Sequence, residues 1–194
     1  MALQHDLFGA SPLPEGLLYR DDMLTAAEEA QLARRIAELP FAPFQFHGFE
    51  GKRRTVSFGW HYAFDGSGLR PVDPIPDFLL PVRTRAGALA GIEGEAFEHA
   101  LVIEYAPGAG IGWHRDRPVF GDVVGISLLA PARLRFRRKS DSKWERAELM
   151  ALPRSAYLLT GPARSEWEHS IPASEALRYS VTFRTLKDRQ GTGS

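Results

Sequence analysis

From residue 98 to residue 186 the sequence reads as short apolar segments broken by turn residues, with no helical stretch between them. The segments are 99–105, 111–114, 123–129, 134–138, 148–152, 156–159, 167–171 and 177–186. Pro107-Gly108 and Gly121-Asp122 supply turn chemistry between them. A parallel sheet needs long crossover connections, which this stretch lacks. About eight short strands with tight links fit two antiparallel sheets packed face to face, a jelly roll.

Upstream the pattern is helical. Thr25 and Glu28 have capping-box spacing, with Leu24 just before the cap, and Leu32, Ile36 and Leu39 recur at helical spacing until Pro40. This predicts a helix of roughly four turns. A second helix is expected from Pro81 to about Gly91, since proline suits a first turn. Between them, residues 41–75 interleave Phe41, Phe44, Phe46, Phe49, Trp60, Tyr62 and Phe64 with glycine and enclose Lys52-Arg53-Arg54. Residues 1–16 read as an irregular arm and 188–194 as a loose tail. The expected fold class is therefore α+β, a double-stranded β-helix (jelly-roll) core with N-terminal helices packed on one sheet. The 194 residues suit a single domain, 1–194, better than two cores.

Twenty-four basic side chains balance 24 acidic ones. This argues against coating nucleic acid by bulk charge and leaves room for a local basic face. With no cysteine, disulfides, thiolate nucleophiles and Cys-ligated metals are excluded. Any metal must be held by His, Asp or Glu. The first residues lack the basic and apolar regions of a secretory signal, and no apolar run is long enough to span a bilayer. The expectation is a cytoplasmic monomer that does not engage a membrane.

In GWHRDRP, His114 and Asp116 are two apart, so on a strand both face one side while Arg115 faces the other. Six histidines and ten aspartates in 194 residues give about 0.3 such pairs by chance, so the pair alone decides little. His169, in WEHSI on another expected strand, supplies a third candidate. Two imidazoles and a carboxylate are the facial ligand set of non-haem Fe(II) oxygenation, which leaves positions open for co-substrate and O2. The alternative is that His169 is a satisfied core histidine. His5, His47, His61 and His99 have no partner at ligand spacing and read as surface or packing residues, His61 alone being worth watching.

Arg178 and Arg184 bracket RYSVTFR, an even spacing that puts both on one strand face with Ser180 and Thr182. Two guanidinium forks there could hold a diacid by its ends, or could simply be solvated at a sheet edge.

The segments YAPGAGIGWHRD, EHSI and RYSVTFR, in this order and at these intervals, resemble the AlkB-type 2-oxoglutarate dioxygenases. The resemblance covers about residues 99–186 closely and the N-terminal part loosely. It implies iron held by His114, Asp116 and His169, with 2-oxoglutarate and O2 as co-substrates. It places Arg178 on the distal carboxylate of 2-oxoglutarate beside the Tyr105 hydroxyl, and Arg184 near the other carboxylate. Ile103 and Ser180 stand where the family often has asparagine. Arg117-Pro118 stands where the repair enzyme has an acidic base-reading residue.

The family's chemistry implies oxidative decarboxylation of 2-oxoglutarate coupled to hydroxylation of a C–H bond. On an N-methyl group this releases formaldehyde. The resemblance also makes 41–75 the substrate lid over a catalytic jelly roll at 99–186. Trp60, His61 and Tyr62 could stack on an extruded base, and Lys52, Arg53 and Arg54 could meet phosphates, or the aromatics could fill the gap between lid and barrel. Arg133, Arg135, Arg137, Arg138 and Lys139 alternate with Leu134 and Phe136, a half-buried strand whose charged face serves solvation or nucleic-acid contact. The resulting expectation is oxidative demethylation of alkylated bases in single-stranded or duplex nucleic acid. The alternatives are an oxygenase acting on protein or a small metabolite, and a non-catalytic metal-binding jelly roll.

Overall fold

The computed structural model describes residues 13–46, 49–63, 66–141 and 143–187. The expected arm up to residue 12, the tail 188–194 and the side chains of Phe46, His47, Phe49 and Phe64 lie outside the described residues.

Helix α1 (Ala26–Ala37) starts where the capping box predicts. The Thr25 hydroxyl accepts from the Glu28 amide at 3.2 Å, and the Glu28 carboxylate accepts from the Thr25 amide at 2.7 Å. Helix α2 (Leu80–Ala90) carries Pro81 in its first turn and closes on Gly91 at φ 71°, a left-handed cap that glycine adopts without steric cost. Arg85 ties the helices together, bonding the Glu28 carboxylate and, at 2.9 Å, the Met23 carbonyl.

Thirteen strands follow one another along the described chain. In the N-terminal part these are β1 (Leu17–Arg20), β2 (Ala42–Phe46), β3 (Phe49–Phe58), β4 (Trp60–Ala63) and β5 (Gly68–Pro71). The remainder holds β6 (His99–Tyr105), β7 (Ile111–His114), β8 (Phe120–Leu128), β9 (Ala132–Ser140), β10 (Lys143–Ala151), β11 (Ala156–Leu159), β12 (Glu168–Ile171) and β13 (Arg178–Leu186). A five-residue helix, α3 (Gly161–Ser165), precedes β12. The major sheet runs β1-β11-β8-β13-β6-β3-β2, the minor sheet β10-β9-β12-β7, and β4 pairs with β5 in a separate hairpin. All registered pairs are antiparallel.

Strand alternation divides the molecule into two cores. Val102, Val124, Ile126, Val181 and Phe183 face Leu32, Ile36, Leu79 and Val82 of the helical side. The other face of the major sheet presents Ile103, Tyr105, Val123 and Tyr157 to Leu134, Phe136 and Ile171 of the minor sheet. The helices thus cover one side of the jelly roll, and the space between the sheets holds the chemistry.

The N-terminal half departs from its expected form. Two helices were the only regular elements expected before residue 98, beside an irregular arm and the 41–75 lid, yet five strands lie there, and β1 and β2 form the two edges of the major sheet. The region 41–75 divides in two. Strand β3 pairs with β6 from Arg54 to Phe58 and belongs to the sheet, while β4 and β5 stand apart from it. Strand β6 would otherwise expose an unpaired edge, and β3 satisfies it.

Candidate active site

Eight candidate residues, His114, Asp116, His169, Tyr105, Arg178, Ser180, Thr182 and Arg184, converge between the sheets. On β13, Tyr179, Val181 and Phe183 go to the helical core, so Arg178, Ser180, Thr182 and Arg184 all point the other way, and all four are buried. Cross-strand pairing sets Arg178 beside Tyr105 and Arg184 beside His99. His169 on β12 pairs directly with His114 on β7, and their ring centroids are 4.2 Å apart.

Asp116 reaches this place by a route the alternation argument did not give. Strand β7 ends at His114, so Asp116 is not on a strand but in the connection to β8. Arg164 of α3 shapes that connection. Its guanidinium is buried and donates to the carbonyls of Asp116 at 3.3 Å, Arg117 at 2.7 Å, Phe120 at 2.7 Å and Gly121 at 2.8 Å. Planar, five-donor arginine suits such a cluster of acceptors. Arg115 points outward as expected and bonds the Ser165 carbonyl at 3.4 Å.

The donor atoms are well defined. His114 Nδ1 lies 2.9 Å from the Gly112 carbonyl oxygen, which only accepts, so Nδ1 carries the proton and Nε2 keeps its lone pair. Arg184 donates to Oδ1 of Asp116, and Oδ2 lies 3.9 Å from Nε2 of His169. Burial, then the charge of Arg184, keeps His99 neutral, and Arg184 also donates to its Nδ1 at 3.5 Å. Burial likewise lowers His114, and burial followed by repulsion from His114 pushes His169 down to about 3. Burial alone would raise the Asp116 carboxyl, but Arg184, with the two histidines and Arg164, holds it below the ordinary carboxylate range. Two neutral imidazoles and an ionised carboxylate are the protonation states that metal binding requires. Among the described residues no three such side chains are drawn into a closed cage. Asp116 is instead turned onto Arg184, its strongest cationic neighbour.

Beyond this cluster lies an unfilled demand for an anion. Arg178 is 1% exposed, its Nε donates to Ser127 Oγ at 3.1 Å, and its guanidinium carbon sits 5.0 Å from the centre of the Tyr105 ring. Neither Nη atom has a hydrogen-bond partner. A buried cation with its paired donors unsatisfied is costly, and a bidentate carboxylate relieves that cost. The residues present therefore fit both a metal ion and a diacid.

The lid candidates separate by strand parity. Arg53 lies 3.8 Å from the Phe44 ring centre, half-buried, with its charge felt at His114 and Tyr105. Arg54 points the opposite way and is spent on Glu104, with bonds of 2.7 and 2.9 Å, so the expected phosphate role is not supported for it. Lys52 is exposed. His61 Nδ1 is 3.3 Å from Ser57 Oγ, on the side of His99. The Arg117 guanidinium covers the Tyr62 ring at 4.9 Å, and Trp60 is half-buried nearby on the same short strand.

Four further residues belong to the site. Tyr157 lies near Arg178 and Tyr105, and burial pushes its phenol up to about 12. It sits opposite Gly125, and a glycine inside an apolar strand is a signal of close approach that was available in the sequence. His99, expected at the surface or in packing, is packed against Phe120 and in addition accepts from Arg184. Ser127 and Arg164 carried no local signal, because their partners are 51 and 43–48 residues away.

The 2OG-Fe(II) oxygenase superfamily model matches residues 16–184. An Arabidopsis thaliana protein described as "Alkylated DNA repair protein ALKBH8 homolog" is 29% identical over 184 residues, covering 81% of this chain and 51% of that one. This chain thus spans about half the length of that relative. The human "Alpha-ketoglutarate-dependent dioxygenase alkB homolog 4" is 29% identical, covering 95% and 71%. Among solved structures, one titled "The structure of OsALKBH1" superposes with TM-score 0.64 at 17% identity, covering 90% of this chain and all of that one. A Pseudomonas putida prolyl-4-hydroxylase does so with TM-score 0.60 at 15% identity, covering 89% and 93%. These two likenesses speak to the fold. With the family match over most of its length, the chain belongs to the 2OG-Fe(II) oxygenase superfamily as an AlkB-type member, a family of dioxygenases that use Fe(II), 2-oxoglutarate and O2.

Proposed function

We propose that this chain oxidatively demethylates alkylated nucleic-acid bases, holding iron with His114, Asp116 and His169 and 2-oxoglutarate with Arg178. The observation that carries the co-substrate assignment is the buried Arg178 guanidinium with two unpartnered Nη atoms beside Tyr105. When bound, the iron centre supplies decarboxylation of 2-oxoglutarate to succinate and CO2, coupled to hydroxylation of a substrate C–H bond.

The chain's own residues bind and orient. His114 offers its Nε2 lone pair, His169 brings its Nε2 within 3.9 Å of Asp116, and Asp116 offers Oδ2 while Arg184 fixes Oδ1. Arg178 anchors the far carboxylate, with Tyr105 and Tyr157 forming the buried wall around it. Placing both tyrosines in this wall keeps bulk water from the co-substrate.

The substrate reading draws on the mouth of the site and on the relatives. Tyr62, with Arg117 above it, and the half-buried Arg53 offer a stacking face and cations within reach of the His114 edge. The Arabidopsis relative is named for alkylated DNA repair, and a Danio rerio relative, 29% identical over 57% of this chain, is named a probable RNA/DNA demethylase. Hydroxylation of an N-methyl group gives an unstable product that sheds formaldehyde, which is the readout. Single-stranded DNA, duplex DNA and RNA carrying N-methylated bases are incubated with Fe(II) and 2-oxoglutarate. The reading expects formaldehyde from at least one, lost in His114→Ala. Succinate formation without formaldehyde from any of them would overturn the nucleic-acid assignment and leave the oxygenase.

A further inference from the structure

The outer face of the minor sheet carries a feature that the site does not use. On β9, Leu134 and Phe136 point into the core, so Arg133, Arg135, Arg137 and Lys139 point out. Their cross-strand partners on β10 are Met150, Glu148, Arg146 and Trp144. Arg137 is sandwiched between two indoles, 4.4 Å from the Trp113 ring centre and 4.7 Å from that of Trp144. Arg135 lies 5.1 Å from the same Trp113 ring. Glu168 and Ser170 of β12 fix the two arginines through their Nε atoms, at 2.6 and 3.1 Å.

Five basic side chains therefore share this face with two acidic ones, Glu148 and Glu168, in a chain whose total charge is zero. Glu168 is committed to Arg137, and Glu148 stands 3.9 Å from Arg133. Lys139 and Arg146 are exposed, and Trp144 leaves 43% of its surface open. Cations held at fixed spacing with an open indole match a strand of alternating phosphates and bases. Among the described residues of β9, β10 and β12, the exposed large apolar side chains are Trp144 and Met150, too little for a purely hydrophobic partner.

The face also leads to the site. Trp113 and His114 are neighbours on edge strand β7 with opposite parity, so a strand lying on Trp113 is one sheet thickness from the candidate iron ligand. The connection that follows carries Arg115, exposed, and Arg117, which lies over Tyr62 at the mouth.

We propose that this face docks single-stranded nucleic acid and passes it around the β7 edge to the mouth. The identity of the occupant rests on the demethylase reading and on the charge of the face. The test uses a labelled single-stranded DNA of roughly a dozen nucleotides, within the span of known single-strand sites. Binding is measured by fluorescence anisotropy over a series of salt concentrations. The combined variant Arg133→Glu, Lys139→Glu, Arg146→Glu alters only exposed side chains, and substrate-free succinate formation reports that its site is intact.

The expected result is at least about tenfold weaker binding and a salt slope shallower by about 2, with succinate formation unchanged. A second variant, Trp144→Ala, is expected to weaken binding with an unchanged salt slope, since it removes stacking and no charge. Wild-type binding retained in both variants would overturn the proposal. So would no binding by the wild type, or capture by anionic phospholipid vesicles in place of the DNA. Its failure is separable from that of the demethylase reading. Binding through this face without formaldehyde release sinks the demethylase alone, and formaldehyde release unaffected by the charge reversal sinks the docking face alone.

Discussion

Arg184 donates from Nε at 2.9 Å to one carboxylate oxygen of Asp116 and brings Nη2 within 2.8 Å of the same oxygen as an ion pair, leaving the other oxygen to face His169. One arginine thereby sets both the charge and the aim of the acid. Replacing it as Arg184→Gln keeps a donor but removes the cation, so the Asp116 carboxyl should rise toward its ordinary value. The apparent Fe(II) affinity, titrated through succinate formation, is expected to fall about 10- to 100-fold, as when the partner of a metal ligand is lost. Unchanged iron dependence would show that Asp116 aims itself.

Arg178 makes the opposite prediction for stability and for binding. In Arg178→Met the 2-oxoglutarate KM should rise about 10- to 100-fold, the worth of one or two charge-assisted hydrogen bonds. Without co-substrate, the variant should be at least as heat-stable as the wild type, because it buries no unpaired cation. Only the wild type should gain thermal midpoint on adding 2-oxoglutarate. A variant that is both destabilised and responsive to 2-oxoglutarate would contradict this assignment.

The hydrogen bonds of Arg164 go to backbone carbonyls, so besides its charge it holds the backbone that carries Asp116. Arg164→Met is expected to cost about 1–3 kcal/mol of stability through the carbonyls left unpaired. Its apparent Fe(II) affinity should fall about tenfold while the 2-oxoglutarate KM stays within about twofold. Equal losses in both would mean general collapse of the site.

Gly125 faces Tyr157 so closely that a Cβ there would lie 2.2 Å from the ring's Cζ. Gly125→Ala must therefore displace the Tyr157 ring, which lies near Arg178, at a cost of about 1–3 kcal/mol for overpacking. Chemical denaturation should report that cost, and the 2-oxoglutarate KM should rise with it.

Acid should unfold the metal-free protein early. His99, His114 and His169 all have folded pKa values below the unfolded value near 6.5. The unfolded chain therefore binds more protons than the folded one below that pH, and stability falls as pH drops from about 6.5, down to about 3 for His169. Each histidine that stays neutral contributes a slope of up to about 1.4 kcal/mol per pH unit. The depressed Asp116 acts in the same direction at lower pH, its contribution being lost as pH falls below about 4. Denaturation midpoints of metal-free protein that stay flat between pH 7 and 5 would refute the buried neutral histidines.

The catalytic half was readable because its signals are local. Strands 99–105, 111–114 and 156–159 have the bounds that alternation and flanking turns predict, and parity alone placed Arg178, Ser180, Thr182 and Arg184 on one face. Helices α1 and α2 were readable from Thr25, Glu28, Pro81 and Gly91 for the same reason. The strands of 17–71 were not, since aromatics there are broken by glycine and the paired residues of β3 and β6 lie 42–50 positions apart. Asp116 shows the limit in one residue. Its spacing from His114 was the right clue for a mistaken reason, because a distant arginine and not a strand pleat turns it inward.

The unpaired Arg178 has a consequence for turnover as well. Succinate, the product of the family's reaction, keeps the same distal carboxylate as 2-oxoglutarate, having lost one carbon as CO2 while the keto carbon becomes its second carboxylate. If Arg178 captures the co-substrate as proposed, the same cation also retains what is left of it. Product release has to compete with that grip, and accumulating succinate should act as a competitive brake. The working rate then follows the ratio of the two diacids around the protein and not the amount of either alone.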